Sequence, residues 1–499
     1  GVSVREAVVV TAARAGRSVF YSGAAVMVAV LGLVFFPSTG LRSIGAAGAL
    51  VVFFSVAASV TFMPALLSVL GRRVDSIPVI RLQVAQEGRF SRWWARAVLR
   101  RPWASILVAL VLIALIVWPA ATMKTEMVSA STLPKAAESR QGMDILDTEF
   151  DRAALSPVSV LLTWESEKPI DMTRAATFFL YGQRLSTMEG VAAVQSPFTI
   201  TGLSDPAALV ALWPQFEGLL NDPDSFVVPE EGITLKSGQT ITAQELNQFK
   251  MLIKATVAKG AVQYYVVSED LPGSLESREL VERLLASDVP AGYELHVTGE
   301  SAHNYDFFEE LSDWFPWVFA WVVVISLVVF VLLLRSVVLP LVAVLINLLT
   351  IGMSYGILVL LFQGDTFERI LRFTSTGAIN IVIPVVMLCV LFGITMDYAV
   401  FMLTRMHERW HRSGDNRESV VTGIMRTARI IISAALLVVI VTGAFAFTSI
   451  AETKMLGLGI ALAIIADTLL IRLVLLPALM AYLGKWNWWW PTLKRGKNP

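Results

Sequence analysis

Three groups of residues in this chain have the types and spacing to do chemistry. The first is Asp397, within Phe392-Gly393-Ile394-Thr395-Met396-Asp397-Tyr398 and followed by Phe401, Leu403, Arg405 and Glu408. At a rise of ~1.5 Å per residue, Asp397 lies about two helical turns before Arg405, inside an apolar stretch and too deep to be a helix cap. An ionised carboxylate there is costly without a partner or water, and low dielectric favours its neutral form. Such a group can take and release a proton near physiological pH, which a proton-driven carrier requires. Tyr398 is placed to donate a hydrogen bond beside it. The competing reading is an aspartate that snorkels or packs against an arginine; ionisable residues at depth are functional by default.

The second group is Asp467 and Arg472, the only other charges deep in the last apolar helix. Five residues apart, they do not share a face as an i,i+4 pair would. The spacing predicts that each meets a different neighbouring helix, or that water joins them. A structural ion pair and a place in a proton route are both open. The third group is His407-Glu408-Arg409-Trp410-His411, which matches the H-E-x-x-H pattern of zinc proteases. Arg405, Arg409 and Arg412 flank it and repel a cation, and no third ligand is evident, so the expectation is a solvated helix end with no metal bound. His296 and His303, seven apart without cysteine neighbours, read as surface histidines. Asn347, Ser433 and Thr442 read as interhelical hydrogen-bonding residues. Gly352/Gly356 and Gly457/Gly459 read as sites of close helix packing.

The elements that carry these residues are membrane spans. Uncharged runs occupy 18–41, 43–71, 102–123, 314–334, 336–364, 374–396, 430–451 and 455–466, with the last continuing past Asp467 and Arg472. Each is long enough for a helix of about 20 residues to cross a ~30 Å hydrocarbon core, which predicts eight transmembrane helices. Apolar residues make up 55% of the chain and charged residues 16%, with zero formal net charge, so no nucleic-acid partner is implied. Basic residues set the orientation. The 72–101 connection carries eight arginines against Asp75 and Glu87, and 405–429 carries six against three acids. These segments and the 485–499 tail, with Lys485, Lys494, Arg495 and Lys497, are expected in the cytoplasm. Met123 to Asp313 then lies outside. Trp103, Trp314, Trp317 and Trp486/Trp488/Trp489/Trp490 read as an aromatic belt.

Residues 5–71 and 417–484 are two copies of one segment. Arg5-Glu6, Val8-Val9, Arg14 and Arg17 recur as Arg417-Glu418, Val420-Val421, Arg426 and Arg429 at an offset of 412. Pro64-Ala65-Leu66 and Leu70-Gly71 recur as Pro477-Ala478-Leu479 and Leu483-Gly484 at 413. At that offset Asp467 and Arg472 correspond to Phe54 and Ser59, so the copies are not equivalent. The second copy has a long upstream part, from Pro102, that the first lacks. The expectation is that roughly 310 residues of the duplicated unit precede Gly1 in a longer protein. Repeats of this kind mark transporters, whose pathway usually lies between the halves.

The segment 123–313 alternates strand and helix patterns. Strands are predicted at Pro157–Trp164, Val191–Val194, Ala261–Ser268 and Tyr293–Thr298, and amphipathic helices at Asp171–Met188 and Ser274–Ser287. Two β-α-β units in succession predict an α+β domain of the split βαβ type, with 199–259 as an insertion or lid. It contains no nucleophile–base arrangement and reads as a binder or conduit. The sole cysteine, Cys389, falls in a predicted helix, so no disulfide forms within the chain.

The Phe392-Gly-Ile-Thr-Met-Asp-Tyr-x-x-Phe motif, the Asp467-x-x-x-x-Arg472-x-x-x-x-Pro477-Ala-Leu run and the earlier Pro64-Ala-Leu-Leu together resemble the MMPL branch of the resistance–nodulation–division (RND) superfamily. These are bacterial inner-membrane transporters that include mycobacterial lipid exporters. The resemblance implies a whole protein of twelve transmembrane helices and two external porter domains, of which this chain supplies helices five and six and the complete second half. It divides the chain into the last two helices of the first repeat (1–71), a basic cytoplasmic linker (72–101), the first helix of the second repeat (102–122), an extracytoplasmic porter domain (123–313), a five-helix bundle (314–484) and a tail (485–499). It also implies a relay of protons through facing Asp-Tyr pairs on the fourth and tenth helices, with Asp397-Tyr398 matching the latter and the partner in the missing half. The expected function is export of lipids or other hydrophobic compounds across the inner membrane, driven by the proton gradient with no cofactor. No Walker-type glycine loop is present. The expected partners are the lipid substrate, membrane lipids and the missing N-terminal half. The alternatives are a non-transporting membrane scaffold or sensor and, further off, a membrane zinc protease.

Overall fold

The computed structural model describes residues 4–71, 73, 89–127, 132–150, 152–165, 169–199, 217–230, 233–234 and 240–490, with the side chains of Asp397, Tyr398 and some other helical residues outside the description. It divides into two compact units. One comprises Gly1–Thr125, Ser131–Pro134 and Glu310–Pro499, the other Glu126–Ala130 and Lys135–Glu309.

Along the chain come α1 (Val4–Leu31), α2 (Thr39–Val60), α3 (Phe62–Leu70), α4 (Arg89–Arg100) and α5 (Pro102–Val117). The second unit contributes α6 (Glu138–Glu149), β1 (Val158–Thr163), α7 (Met172–Ser186), β2 (Val191–Gln195), α8 (Ala243–Thr256), β3 (Ala261–Ser268), α9 (Leu275–Leu285) and β4 (Glu294–Thr298). Then follow α10 (Glu300–Leu334), α11 (Val338–Leu358), α12 (Val382–Ser413), α13 (Asn416–Gly443), α14 (Ala451–Ala466) and α15 (Leu476–Leu483). Among the described residues seven helical spans are long and apolar enough to cross a membrane, and the apolar part of α1, Val19–Phe35, is a shorter one. The first two spans part at Phe36-Pro37-Ser38, not at Arg42 where the charge-free run ends, because Pro37 has no amide hydrogen to continue a helix.

The internal duplication is visible in the backbone. α1 and α13 are each 28 residues long, with both ends offset by 412. Single 3₁₀ turns follow at Gly32–Phe35 and Ala444–Phe447, and α2 and α14 start at Thr39 and Ala451, all at the same offset. The copies end at Gly71 (φ 51°, ψ −128°) and Gly484 (φ 58°, ψ −125°), now offset by 413. Only glycine takes this conformation without strain, which is why both copies close on Leu-Gly. One extra residue is therefore absorbed between α14 and α15. The backbone there, Asp467–Leu475, is a π-helix. Its i→i+5 bonding holds an additional residue in a turn while leaving the flanking α-helices in register.

In the second unit the strand order is β2-β3-β1-β4, every pairing antiparallel. This is the order produced when two βαβ units interleave, since each helix carries the chain past the strand that the other unit inserts. β1 alternates buried Val158, Val160 and Leu162 with half-buried neighbours. On that buried face lie Phe178, Phe179 and Leu185 of α7 and Leu280, Val281 and Leu284 of α9. Caps fix the helix starts: Asp171 accepts from the amide of Arg174 at 2.8 Å, and Ser274 from that of Ser277 at 3.1 Å. Of the expected insertion at 199–259, α8 and a helical turn at 217–221 are described, and much of the rest lies outside the described residues.

The linker and the tail both hold regular structure. α4 lies in the last part of 72–101 and donates a hydrogen bond from Trp94 Nε1 to the carbonyl of Leu473 at 3.0 Å. Residues 484–488 form a 3₁₀ turn in which Asn487 is fully buried and its carbonyl accepts from Ser336 Oγ at 2.7 Å. Trp488 is hydrogen-bonded to Asn416 at 3.0 Å and stacked on Trp410. Trp488 is half-buried at this junction, while Trp486, Trp489 and Trp490 are exposed.

Candidate functional site: a buried ion pair beside the Asp-Tyr helix

α12 is apolar along most of its length, and α1, α11, α13 and α14 pack around it. Close approach needs small residues. A Cβ on Gly393 would come within 2.9 Å of Val26 on α1, and one on Gly459 within 2.9 Å of Met387. On α11, a Cβ on Gly356 would lie 1.8 Å from the carbonyl oxygen of Ile116, so α5 crosses there backbone to backbone. Gly457 is similarly pressed on the Thr442 carbonyl at 2.6 Å. The glycines singled out in the sequence do the close packing expected of them.

Asp397 and Tyr398 occupy the middle of α12, and their side chains lie outside the described residues. Asp467 and Arg472 are each 1% exposed and in direct contact, Arg472 Nε donating to Asp467 Oδ2 at 2.5 Å. The expectation that this spacing keeps them from sharing a face is overturned by the π-helix. The wider turn of i→i+5 bonding swings residue i+5 round toward residue i, where an α-helix would set the two about 140° apart. Each also reaches a different neighbouring helix, as the sequence predicted. Asp467 Oδ1 accepts from Thr350 Oγ1 of α11 at 2.8 Å, and Arg472 Nη2 donates to the carbonyl of Thr395 on α12 at 2.5 Å. That carbonyl belongs to the residue two before Asp397.

Desolvating both ions costs several kcal/mol each, which their mutual attraction offsets only if the remaining lone pairs and protons are bonded. Thr350 and the Thr395 carbonyl supply such bonds. Asn347, Thr350 and Ser354 recur at i, i+3 and i+7, so α11 turns one polar edge inward, and all three are fully buried. Neither polar atom of the Asn347 side chain has a hydrogen-bond partner among the described residues. The interhelical bonds expected of Asn347, Ser433 and Thr442 are thus corrected. Thr442 Oγ1 bonds its own helix at Val438, at 2.8 Å, and Ser433 lies exposed. Sequence reasoning missed Thr350 and Thr395. The i, i+3, i+7 polar recurrence in an apolar helix was the available signal for Thr350; Thr395 acts through its backbone and left none.

The sequence profile of the MMPL family matches residues 1–105 and 131–498. The chain belongs to the MMPL family. Over 491 residues it is 32% identical to a membrane protein of Streptomyces coelicolor, covering 98% of this chain and 59% of that one. It is 30% identical to the mycolic acid-containing lipids exporter MmpL11 of Mycolicibacterium smegmatis, over 98% of this chain and 46% of the relative. It is 27% identical to the heme uptake protein MmpL11 of Mycobacterium tuberculosis, over 97% of this chain and 45% of the relative. The chain thus spans about half the length of these curated relatives. It is a multi-pass membrane protein of a transporter family.

His407 and His411 of this MMPL chain lie at the end of α12, with Nε2 atoms 3.0 Å apart. Glu408, which would activate water in a zinc protease, instead accepts from Arg405 Nη1 at 2.8 Å. Among the described residues no cluster of three or more His, Cys, Asp or Glu side chains could hold a metal ion.

Proposed function

We propose that the whole MMPL protein exports lipid-like molecules across the bacterial inner membrane, driven by protons entering through Asp397-Tyr398, with Asp467 and Arg472 in the same polar network. The observation that carries this reading is the fully buried Asp467–Arg472 pair, bonded to the backbone of the Asp397 helix two residues before Asp397. A buried pair of opposite charges is a poor way to gain stability, so its presence supports a role in charge movement. The Asn347 amide, three residues before Thr350 on α11 and without a partner among the described residues, supports the presence of water or another proton carrier at this depth. Protonation of Asp397 changes what Arg472 and the α12 backbone face, and so biases how α11, α12 and the π-helix pack. In this reading the α+β unit is the extracytoplasmic porter domain, the basic segments are cytoplasmic, and the cargo is an apolar lipid, as the name of the M. smegmatis relative suggests.

The test is flux of a fluorescent lipid through the full-length protein in vesicles with an imposed pH gradient. Asp397→Asn is expected to abolish gradient-driven flux at normal expression; full activity would sink the relay. Absence of wild-type flux with the gradient imposed favours a scaffold or sensor, and flux that ignores the gradient means export without proton coupling. The M. tuberculosis relative supplies a second cargo, and haem offered in the same assay separates it from lipid.

A further inference from the structure

The H-E-x-x-H motif is the one chemical feature of the chain that transport does not use. Its arginines counted against a cation, but the fold neutralises two of them. Arg405 is held by Glu408 and Arg409 by Glu418, while Arg412 is exposed. The two imidazoles meet edge to face at a centroid distance of 4.4 Å, with Nε2 converging on Nε2 at 3.0 Å. His407 is held in that orientation by Trp488, stacked on its ring at 5.3 Å, and Trp488 in turn is fixed by Trp410 and Asn416.

We propose that His407 and His411 form a two-point site for a divalent copper or nickel ion at the end of α12. Metal–imidazole bonds of about 2.05 Å whose nitrogens are 3.0 Å apart subtend about 95° at the metal. That is the angle between adjacent ligands of a square-planar or octahedral ion, and it is tighter than a tetrahedral zinc centre prefers. Two imidazoles one helical turn apart fill two adjacent positions, and water completes the rest. Copper also binds nitrogen ligands most strongly of the first-row divalent ions. The ion adds no catalysis, since Glu408 is engaged by Arg405. It clamps the His407 ring, and through Trp488 it joins the end of α12 to the 484–488 turn and to the start of α13.

Cu²⁺ titrated into the purified chain, without a polyhistidine tag, tests this by electron paramagnetic resonance and tryptophan fluorescence. One equivalent with a two-nitrogen signature and quenching is expected. Affinity should fall at least tenfold in both His407→Ala and His411→Ala and stay unchanged in His296→Ala, and Zn²⁺ should bind more weakly than Cu²⁺ or Ni²⁺. Equal copper binding by His411→Ala, or wild-type binding no tighter than to free histidine, overturns the site. His411 is exposed, so its variant decides the matter even if loss of the Trp488 stack keeps His407→Ala from folding.

Discussion

Asp467 and Arg472 hold two full charges at 1% exposure, and the bonds around them determine what each is worth. Removing one partner leaves the other ion buried and uncompensated, which costs about 3–5 kcal/mol. Asp467→Asn is therefore expected to lower thermal stability in detergent by about that amount. Replacing both, as Asp467→Leu with Arg472→Met, removes the desolvation cost together with the attraction and should restore stability to within about 1 kcal/mol or improve it. The double variant separates the two roles left open by the sequence. Wild-type stability with lost flux assigns the pair to charge movement, whereas retained flux makes it structural. Thr350, which donates to the same carboxylate, belongs to this set.

The element that unites the pair is the π-helix at Asp467–Leu475. Because it holds one residue more than the matching stretch of the first copy, it tolerates a deletion that an α-helix does not. Removing Leu469, an exposed residue inside it, should convert the segment to α-helix and keep α14 and α15 in their present register. Removing Ile460 from α14 rotates everything downstream by about 100° and should abolish folded yield in size-exclusion chromatography. Equal loss in the two deletions would mean that the π turn is needed for folding itself. In the α+β unit, α8 starts at a capping box. Thr242 N and Oγ1 donate to Glu245 at 2.8 and 2.9 Å, and Thr242 Oγ1 accepts from the Glu245 amide at 3.3 Å. The Thr242 backbone amide, and then its hydroxyl, hold the Glu245 carboxyl below its usual range. The folded value is the lower one, so this stabilisation is present above the unfolded carboxylate range and lost as pH falls through the folded value. Hydrogen exchange in the first turn of α8 should accelerate on acidification in the wild type, and Glu245→Ala should remove that dependence.

At the scale of the molecule, the proposed orientation, which rests on the distribution of arginines, has α4 and the start of α13 facing the cytoplasm and the α+β unit outside. The sole cysteine is buried, so single cysteines can be read on a Cys389→Ala background. Asp288→Cys should react with an impermeant maleimide from outside the cell, and Arg412→Cys only after the membrane is opened. The reverse pattern would overturn the orientation and with it the direction of transport. The duplication has a consequence at this scale too. α1 and α13 match end to end, yet the second copy alone carries the charged pair, where the first has apolar and hydroxyl residues. The two halves of the bundle share a backbone plan and differ in chemistry.

Much of this was open to reading in the chain itself. Seven of the spans expected from the charge-free runs are, among the described residues, helices long and apolar enough to cross a membrane, and the period-two and helical patterns of 157–298 form interleaved βαβ units because their buried faces alternate at those spacings. The repeat and the close-packing glycines were legible for the same reason: each is a local property of residue type and spacing. Three matters were not local. The contact of Asp467 with Arg472 depends on a π turn, which a spacing argument built on 3.6 residues per turn excludes. The partners of that pair come from residues 117 and 77 positions away. The stacking of Trp488 on His407 comes from the chain's far end. Sequence determines what each helix can bury; only tertiary packing decides which buried groups meet, because the cost of leaving a polar group unpaired is settled by neighbours that the local pattern does not contain.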